Sequence, residues 1–362
     1  MKDDIKTKIK KVFSYVFIDG LTGMAWGLFS TLIIGLIIEQ LGKLIGGNVG
    51  NLIVVIGKIA ASLTGAGIGV GVAVKYKETP FVTISAAIAG LIGAFASKIL
   101  QGSVLVDGTI ILNGPGEPLG ACIASFVGII CGRWMQGKTK LDIILVPIFT
   151  IMIGGAVGLL VGPPISNFML ALGELINWAV TKQPIIMGIL VSVLMGMILT
   201  LPISSAALAI ILNLSGLAGG AATVGCCANM VGFAVASFKE NGISGLISQG
   251  LGTSMLQVPN IMKKPIIWLP AIIASAILGP ISTVVLHMTN NASGAGMGTA
   301  GLVGQLMTWQ DMSGSENGVV LIIKIIILHF ILPGVIAWVT SYIMRKKGLI
   351  KDGDMKLESS II

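Results

Sequence analysis

The chain has 362 residues, of which 54% are hydrophobic and only 10% are charged. Soluble domains carry about 25% charged residues, so this composition excludes an ordinary soluble protein and indicates an integral membrane protein. The net charge of +8 comes from short basic clusters between apolar runs. That distribution is the positive-inside pattern of membrane proteins, and it excludes a nucleic-acid-binding surface.

The N-terminus is basic and amphipathic. Five lysines lie within residues 1–11 and alternate at helical spacing with Ile5, Ile9, Val12 and Phe13. This spacing predicts an amphipathic helix over residues 1–16 on an anionic membrane surface, on the cytoplasmic side. The apolar run that follows is longer than the core of a signal peptide, which spans about 7–15 residues, so we expect it to be retained as the first span.

Apolar segments recur along the whole chain. They occupy residues 17–38, 52–74, 80–100, 119–133, 141–162, 165–181, 184–212, 216–238, 265–289 and 318–344. A bilayer core about 30 Å thick needs about 20 apolar residues per helix, so the sequence predicts an all-α membrane protein, a polytopic helical bundle of about ten transmembrane segments.

The distribution of Lys and Arg predicts the orientation. Residues 101–118 and 290–317 contain neither residue type and are expected outside, while the basic tail at 345–362 is expected inside with the N-terminus. This assignment requires residues 241–262 to enter and leave the membrane on the same side. They are therefore predicted to form a re-entrant hairpin.

Glycine and proline positions indicate packing and breaks. Gly154, Gly158 and Gly162 lie four residues apart, on one face of a predicted helix, which permits close helix packing. Glycines at every second position of residues 65–71 predict a thin or broken helix. Pro202 predicts a break within the longest apolar run.

The stretch from residue 225 to 305 concentrates polar side chains between two apolar segments. Unsatisfied polar groups in hydrocarbon cost several kcal/mol each, so such a stretch survives only when buried in protein or beside a watery cavity. We interpret it as the substrate site. Its candidate residues are Glu240, Asn241, Gln249, Gln257, Asn260, His287, Asn290 and Asn291.

Glu240 is the strongest of these candidates, because a carboxylate in a partly dry cavity can accept two hydrogen bonds from sugar hydroxyls. The competing interpretation is a solvated loop charge paired with Lys239. Two separated histidines and scattered acids assemble no metal-ligand cluster and no nucleophile triad, so no catalytic residue, metal or cofactor is expected. Gly296–Gly301 matches GxGxxG, but no strand–helix context accompanies it.

Several stretches together resemble the membrane permease subunit, enzyme IIC (EIIC), of the bacterial phosphotransferase system, in the perfringolysin regulator-like branch. They are residues 200–205, 216–222, the Glu240 hairpin, 249–260 and 294–305. In related glucose-type permeases a Gly-Ile-Thr-Glu-Pro loop supplies the carboxylate that contacts the sugar. The nearest counterpart here is Lys239-Glu240-Asn241-Gly242-Ile243, which keeps a carboxylate but not that motif.

The resemblance implies a single EIIC-like domain over residues 1–362 in a homodimer in the bacterial plasma membrane. It also implies a carbohydrate substrate that separate EIIA and EIIB proteins phosphorylate. We expect alternating access, in which the part that carries the hairpin moves relative to a glycine-packed scaffold. Two alternatives stay open. One is an ion-coupled secondary transporter with Glu174 or Glu240 as the coupling site, and the other is a membrane-bound ligand-sensing regulator.

Overall fold

The computed structural model describes residues 14–357, and within that range every long element is a helix. This confirms the all-α fold class. The chain divides into two compact units, Met1–Phe168 and Met169–Ile362. Most of the predicted N-terminal amphipathic helix and the last five residues of the predicted tail lie outside the described residues.

The first unit contains six complete helices and one short hairpin within its described residues. They are α1 (Ile18–Ile45), α2 (Gly47–Ser62), α3 (Thr64–Lys75), α4 (Pro80–Ala94), α5 (Ala96–Leu100), β1 (Leu105–Val106), β2 (Thr109–Ile110) and α6 (Pro118–Met135). Helices α2 and α3 meet at a bend of 53°. Strands β1 and β2 pair antiparallel. Helix α7 (Asp142–Val180) begins in this unit.

Helix α3 is packed tightly on two sides through its alternating glycines. A Cβ on Gly65 or Gly69 would collide with α4, at Gly90 and Ala86 respectively. A Cβ on Gly67 or Gly71 would collide with α1. Residues four apart share a helix face and residues two apart do not, so the period-two pattern places glycine on both packed faces. The prediction of a thin helix is confirmed.

The glycine face predicted on α7 also packs as expected. A Cβ on Gly158 would lie 2.9 Å from Gly93 Cα and 3.0 Å from Ala124 Cβ, so α7 touches both α4 and α6 here. The apolar segments 141–162 and 165–181, counted as two from the sequence, lie on one helix, because α7 continues through Pro163 and Pro164. Prolines are tolerated inside transmembrane helices where neighbouring groups satisfy the backbone groups that they free.

The second unit begins within α7 and is built around one buried helix. Its complete helices are α8 (Pro184–Thr200), α9 (Ser205–Ile211), α10 (Gly216–Ala236), α11 (Phe238–Ile247), α12 (Val258–Lys263), α13 (Pro265–Val285), α14 (Ala292–Ala295), α15 (Val303–Met312) and α16 (Gly318–Lys346). Helix α8 ends two residues before Pro202, so the predicted break is confirmed.

Helix α10 lies at the centre of this unit, and 94% of its most apolar 18-residue stretch is buried. Small residues permit this. Gly225 leaves no room for a methyl group against Ser192 of α8, and a Cβ on Gly232 would lie 3.5 Å from Ala271 of α13. Lipid tails are as apolar as leucine, so membrane helices associate through such close van der Waals packing rather than through the hydrophobic effect.

Six helices within residues 14–357 are long and apolar enough to cross a membrane, or seven if the bent pair α2–α3 forms one span. This confirms a multi-pass membrane protein. The count of ten spans is not confirmed, and the re-entrant course of residues 241–262 stays a prediction. Helix α6, which appeared short from its apolar run at 119–133, has 18 residues.

Candidate functional site

The polar stretch between α10 and α13 folds as a broken helical segment. Gly242 has a φ of +58°, and this conformation, which favours glycine, kinks α11 in its middle. After a π-helical turn at Ser248–Gly252, Thr253 is extended and its side chain accepts a hydrogen bond from Met255 N. A short 3₁₀ turn and α12 follow. These breaks bring polar side chains from several turns into one place.

Four predicted site residues form one buried network, which we call the amide chain. Gln257 Nε2 donates to Gln249 Oε1 at 2.9 Å, and Asn260 Nδ2 donates to Gln257 Oε1 at 2.9 Å. Gln249 Nε2 donates in turn to Ser237 Oγ at 3.0 Å. Asn241 joins the others through a shared acceptor, the backbone oxygen of Met355. All four are at most 9% exposed.

The acceptor belongs to residues 351–357, which we call the C-terminal strap. Met355 O accepts from Asn241 Nδ2 and Gln257 Nε2, both at 2.9 Å, and Lys356 O accepts from Asn260 Nδ2 at 3.0 Å. Asn241 Oδ1 accepts from Leu357 N at 2.8 Å. The amide chain therefore holds the backbone of the chain's own C-terminal segment.

Apolar packing and a charge pair reinforce this attachment. The Met355 side chain is fully buried in a core cluster with Phe233 and Ile267. Lys264 Nζ lies 2.6 Å from Asp354 Oδ2. The strap is thus anchored by side-chain amides, by a buried methionine and by an ion pair.

Glu240 lies beside the strap and is paired with an arginine. Its Oε1 accepts from Arg345 Nη2 at 2.7 Å, and only 5% of the Glu240 side chain is exposed. The interpretation as a solvated partner of Lys239 is wrong, since Lys239 Nζ pairs instead with Asp352 Oδ2 at 2.6 Å. That hydrogen bond lowers the pKa of the Asp352 carboxyl. Glu240 Oε2 is buried without a hydrogen-bond partner, so one acceptor of the carboxylate stays open.

The other predicted site residues lie after α13 and have different partners. Asn290 is fully buried, and its Nδ2 donates to Thr223 Oγ1 at 2.7 Å and to Gly304 O at 3.1 Å. Asn291 caps α14 through its side-chain oxygen. His287 is exposed and has a φ of 47°. These hydrogen bonds hold Asn290 and Asn291 to Thr223, Gly304 and the start of α14, and none of them reaches the amide chain.

A second buried polar network was not predicted from the sequence. Asn229, in the middle of α10, accepts at Oδ1 from Trp268 Nε1 at 2.8 Å and from Thr200 Oγ1 at 3.2 Å. Its Nδ2 donates to Ser275 Oγ at 3.1 Å, and Thr200 Oγ1 lies 2.8 Å from Ser254 Oγ. We call these residues the Asn229 cluster. A lone amide inside an apolar run was the sequence signal that could have indicated it.

Further contacts join the later loop to this region. Thr299 Oγ1 donates to Gly250 O at 2.5 Å, which ties the loop before α15 to the hairpin. Gln305 Nε2 lies 3.2 Å from Nδ1 of the buried His329, and its own Oε1 is buried without a partner. The buried imidazole of His329 therefore has a polar partner within an apolar helix. Among residues 14–357, no group of three or more His, Cys, Asp and Glu could hold a metal.

The site thus contains buried amides and hydroxyls and one carboxylate oxygen, Glu240 Oε2, that has no hydrogen-bond partner. These groups lie at breaks between apolar helices. Polar groups at helix breaks within a membrane bundle are typical of transporters, whose substrates bind at such breaks. The fold and the site therefore define a multi-pass helical protein of the transporter class.

The family follows from a comparison with known protein families. The family model described as "Phosphotransferase system, EIIC" matches residues 18–357. This chain belongs to that family and is a permease subunit of the phosphotransferase system. A comparison with curated proteins gives no match. The perfringolysin regulator-like branch stays a prediction.

Proposed function

We propose that this EIIC subunit binds a carbohydrate, carries it across the bacterial plasma membrane and presents it to a separate EIIB, which is charged by EIIA. We further propose that it works as a single-domain homodimer. The observation that best supports carbohydrate binding is the buried amide chain beside the open Oε2 of Glu240. A sugar hydroxyl both donates and accepts, and therefore suits amides and a carboxylate together.

The proposed site comprises Glu240 and the amide chain, with His287, Asn290 and Asn291 as its more distant members. Glu240 Oε2 is available to accept a hydroxyl proton. In this structure the side-chain amides donate to Met355 O and Lys356 O, and Asn241 Oδ1 accepts from Leu357 N. A bound carbohydrate would have to replace these backbone groups with hydroxyls, so we propose that the C-terminal strap leaves the amide chain when substrate binds.

Uptake measurements test the proposed function directly. Cells or inverted vesicles that contain the protein with its EIIA and EIIB partners should accumulate a phosphorylated sugar only when phosphoenolpyruvate is supplied. An uncoupler should have little effect over short times, because the phosphoryl donor supplies the driving force. Uptake that an uncoupler alone abolishes would select the ion-coupled transporter. Ligand binding without any uptake would select the sensing regulator.

The proposed topology, with both termini in the cytoplasm, predicts the result of a labelling experiment. The densest basic flanks of the chain lie at residues 2–11 and 345–347, and such flanks stay on the cytoplasmic side. Asp4→Cys and Lys356→Cys variants, made without the half-buried Cys131, should resist an impermeant thiol reagent in intact cells. Both should react after permeabilisation. Labelling of either position from outside would overturn the topology.

A further inference from the structure

A groove of about 980 Å³ opens in the second unit, and no residue of the amide chain lines it. It lies between the end of α10, the start of α11 and the last turns of α16. Its apolar wall consists of Val235, Ala236, Phe238, Leu246, Trp338 and Tyr342. A groove of this size is comparable with ligand sites that enclose a molecule of several hundred daltons.

The aromatic side of the groove has the character of a membrane–water interface. Trp338 and Tyr342 stack with ring centroids 5.9 Å apart, and they are 56% and 49% exposed. They lie four residues apart near the end of α16, a helix apolar enough to span a membrane. Trp and Tyr are enriched at the level of the lipid headgroups, so the end of α16 places this groove at that level.

The rim of the groove is cationic. Lys239, Arg345 and Lys346 line it with one acid, Asp352, and Glu240 pairs with Arg345 at 2.7 Å, so these groups carry a net charge of +1 (three cations less two anions). Asp352 pairs with both Lys239 and Arg345. Lys346 Nζ lies 4.7 Å from the centroid of the Tyr342 ring, directly beside the aromatic wall. An anion that enters the groove therefore meets Lys346 beside two cations that are already paired with acids.

We propose that this groove binds an anionic phospholipid of the surrounding membrane. The headgroup phosphate lies at Lys346 and Lys239, and an acyl chain follows the wall formed by Phe238, Leu246 and Trp338. This occupant matches the apolar wall and the positive rim together, and it is present at the interface where α16 ends. Arg345 pairs both with Glu240 and with Asp352 of the C-terminal strap, so the lipid binds beside these two ion pairs. The proposal does not require carbohydrate binding.

The test compares anionic and zwitterionic lipids on the full chain. The purified protein is titrated with phosphatidylglycerol or phosphatidylcholine of identical acyl chains, and native mass spectrometry measures the first bound lipid. Each cation near an anionic headgroup is worth about fivefold in affinity, so a net charge of +1 predicts a preference of about fivefold for phosphatidylglycerol. Lys346→Gln should therefore abolish this preference. Lys239→Gln should reduce it as well, while Trp338→Ala should weaken both lipids equally.

Lys347→Gln is the matched control, because Lys347 is exposed and next in sequence but does not line the groove. It should leave the preference unchanged. Equal binding of the two lipids by the wild-type protein would overturn the proposal. So would an equal loss of preference in Lys347→Gln and Lys346→Gln, because it would show attraction to the general surface charge instead of binding in the groove.

Discussion

A Gly158→Leu variant is expected to fail to fold, or to be recovered only in small amounts with a strongly lowered melting temperature. The Cβ alone would lie 2.9 Å from Gly93 Cα and 3.0 Å from Ala124 Cβ, and the first of these neighbours is backbone that cannot rotate away. Overpacking of a well-packed site costs about 1–3 kcal/mol, and separating three helices would cost more. The leucine side chain is therefore expected to disrupt the packing of α7 against α4 and α6.

Two variants make this result interpretable. Gly158→Ala adds only the Cβ and should give a smaller loss of about 1–3 kcal/mol. Gly314→Leu adds the same apolar bulk at an exposed glycine with open space around it, so it should fold normally. The measurements are the yield of monodisperse protein and its thermal unfolding in detergent. A stable Gly158→Leu protein that has lost only ligand binding would mean that this glycine belongs to the substrate site and not to the scaffold.

Local patterns in the sequence predicted those features that depend on a single helix. The glycine face at residues 154–162 and the break at Pro202 follow from helical periodicity and from proline chemistry, which neighbours along the chain determine. The four residues of the amide chain were predicted only as members of a larger substrate site, because polar side chains in an apolar context must be buried in protein or beside a cavity. Their hydrogen bonds to one another and to the C-terminal strap were not predicted.

The partners of Glu240 could not be predicted in the same way. Lys239 and Glu240 are adjacent in sequence, and adjacent residues on a helix do not face each other, so the obvious pair does not form. The actual partner, Arg345, lies 105 positions away. Likewise, Asn241 and Met355 are 114 positions apart. Residues 351–357 show no periodicity or motif from which their attachment to the amide chain could be predicted, because this attachment depends on tertiary contacts.

The Asn229 cluster shows the same limit. One asparagine in an apolar run indicates that a polar partner exists, but not which one. Thr200, Trp268 and Ser275 lie on other elements, and only the packing of α8 and α13 against α10 brings them together. Helices that are apolar in sequence tolerate these groups because the polar groups of the cluster form hydrogen bonds with one another.

The Glu240→Gln variant should lose both stability and affinity for carbohydrate. The substitution keeps the size of the side chain but removes the charge that Arg345 contacts at 2.7 Å in a nearly buried position. A hydrogen bond between charged groups contributes about 1.5–3 kcal/mol, so a loss of stability in that range is expected. If Oε2 also accepts a sugar hydroxyl, affinity should fall about 10- to 150-fold.

Matched variants separate these two effects. Arg345→Gln removes the same ion pair but leaves the carboxylate, so it should reduce stability while largely preserving affinity at equal folded fraction. Lys239→Gln affects only an exposed pair and should change neither. The measurements are thermal unfolding and binding of the transported sugar to purified wild-type and variant proteins. A Glu240→Gln protein with lowered stability and unchanged affinity would show that Glu240 only pairs with Arg345, and the proposed site would then centre on Asn260 and His287.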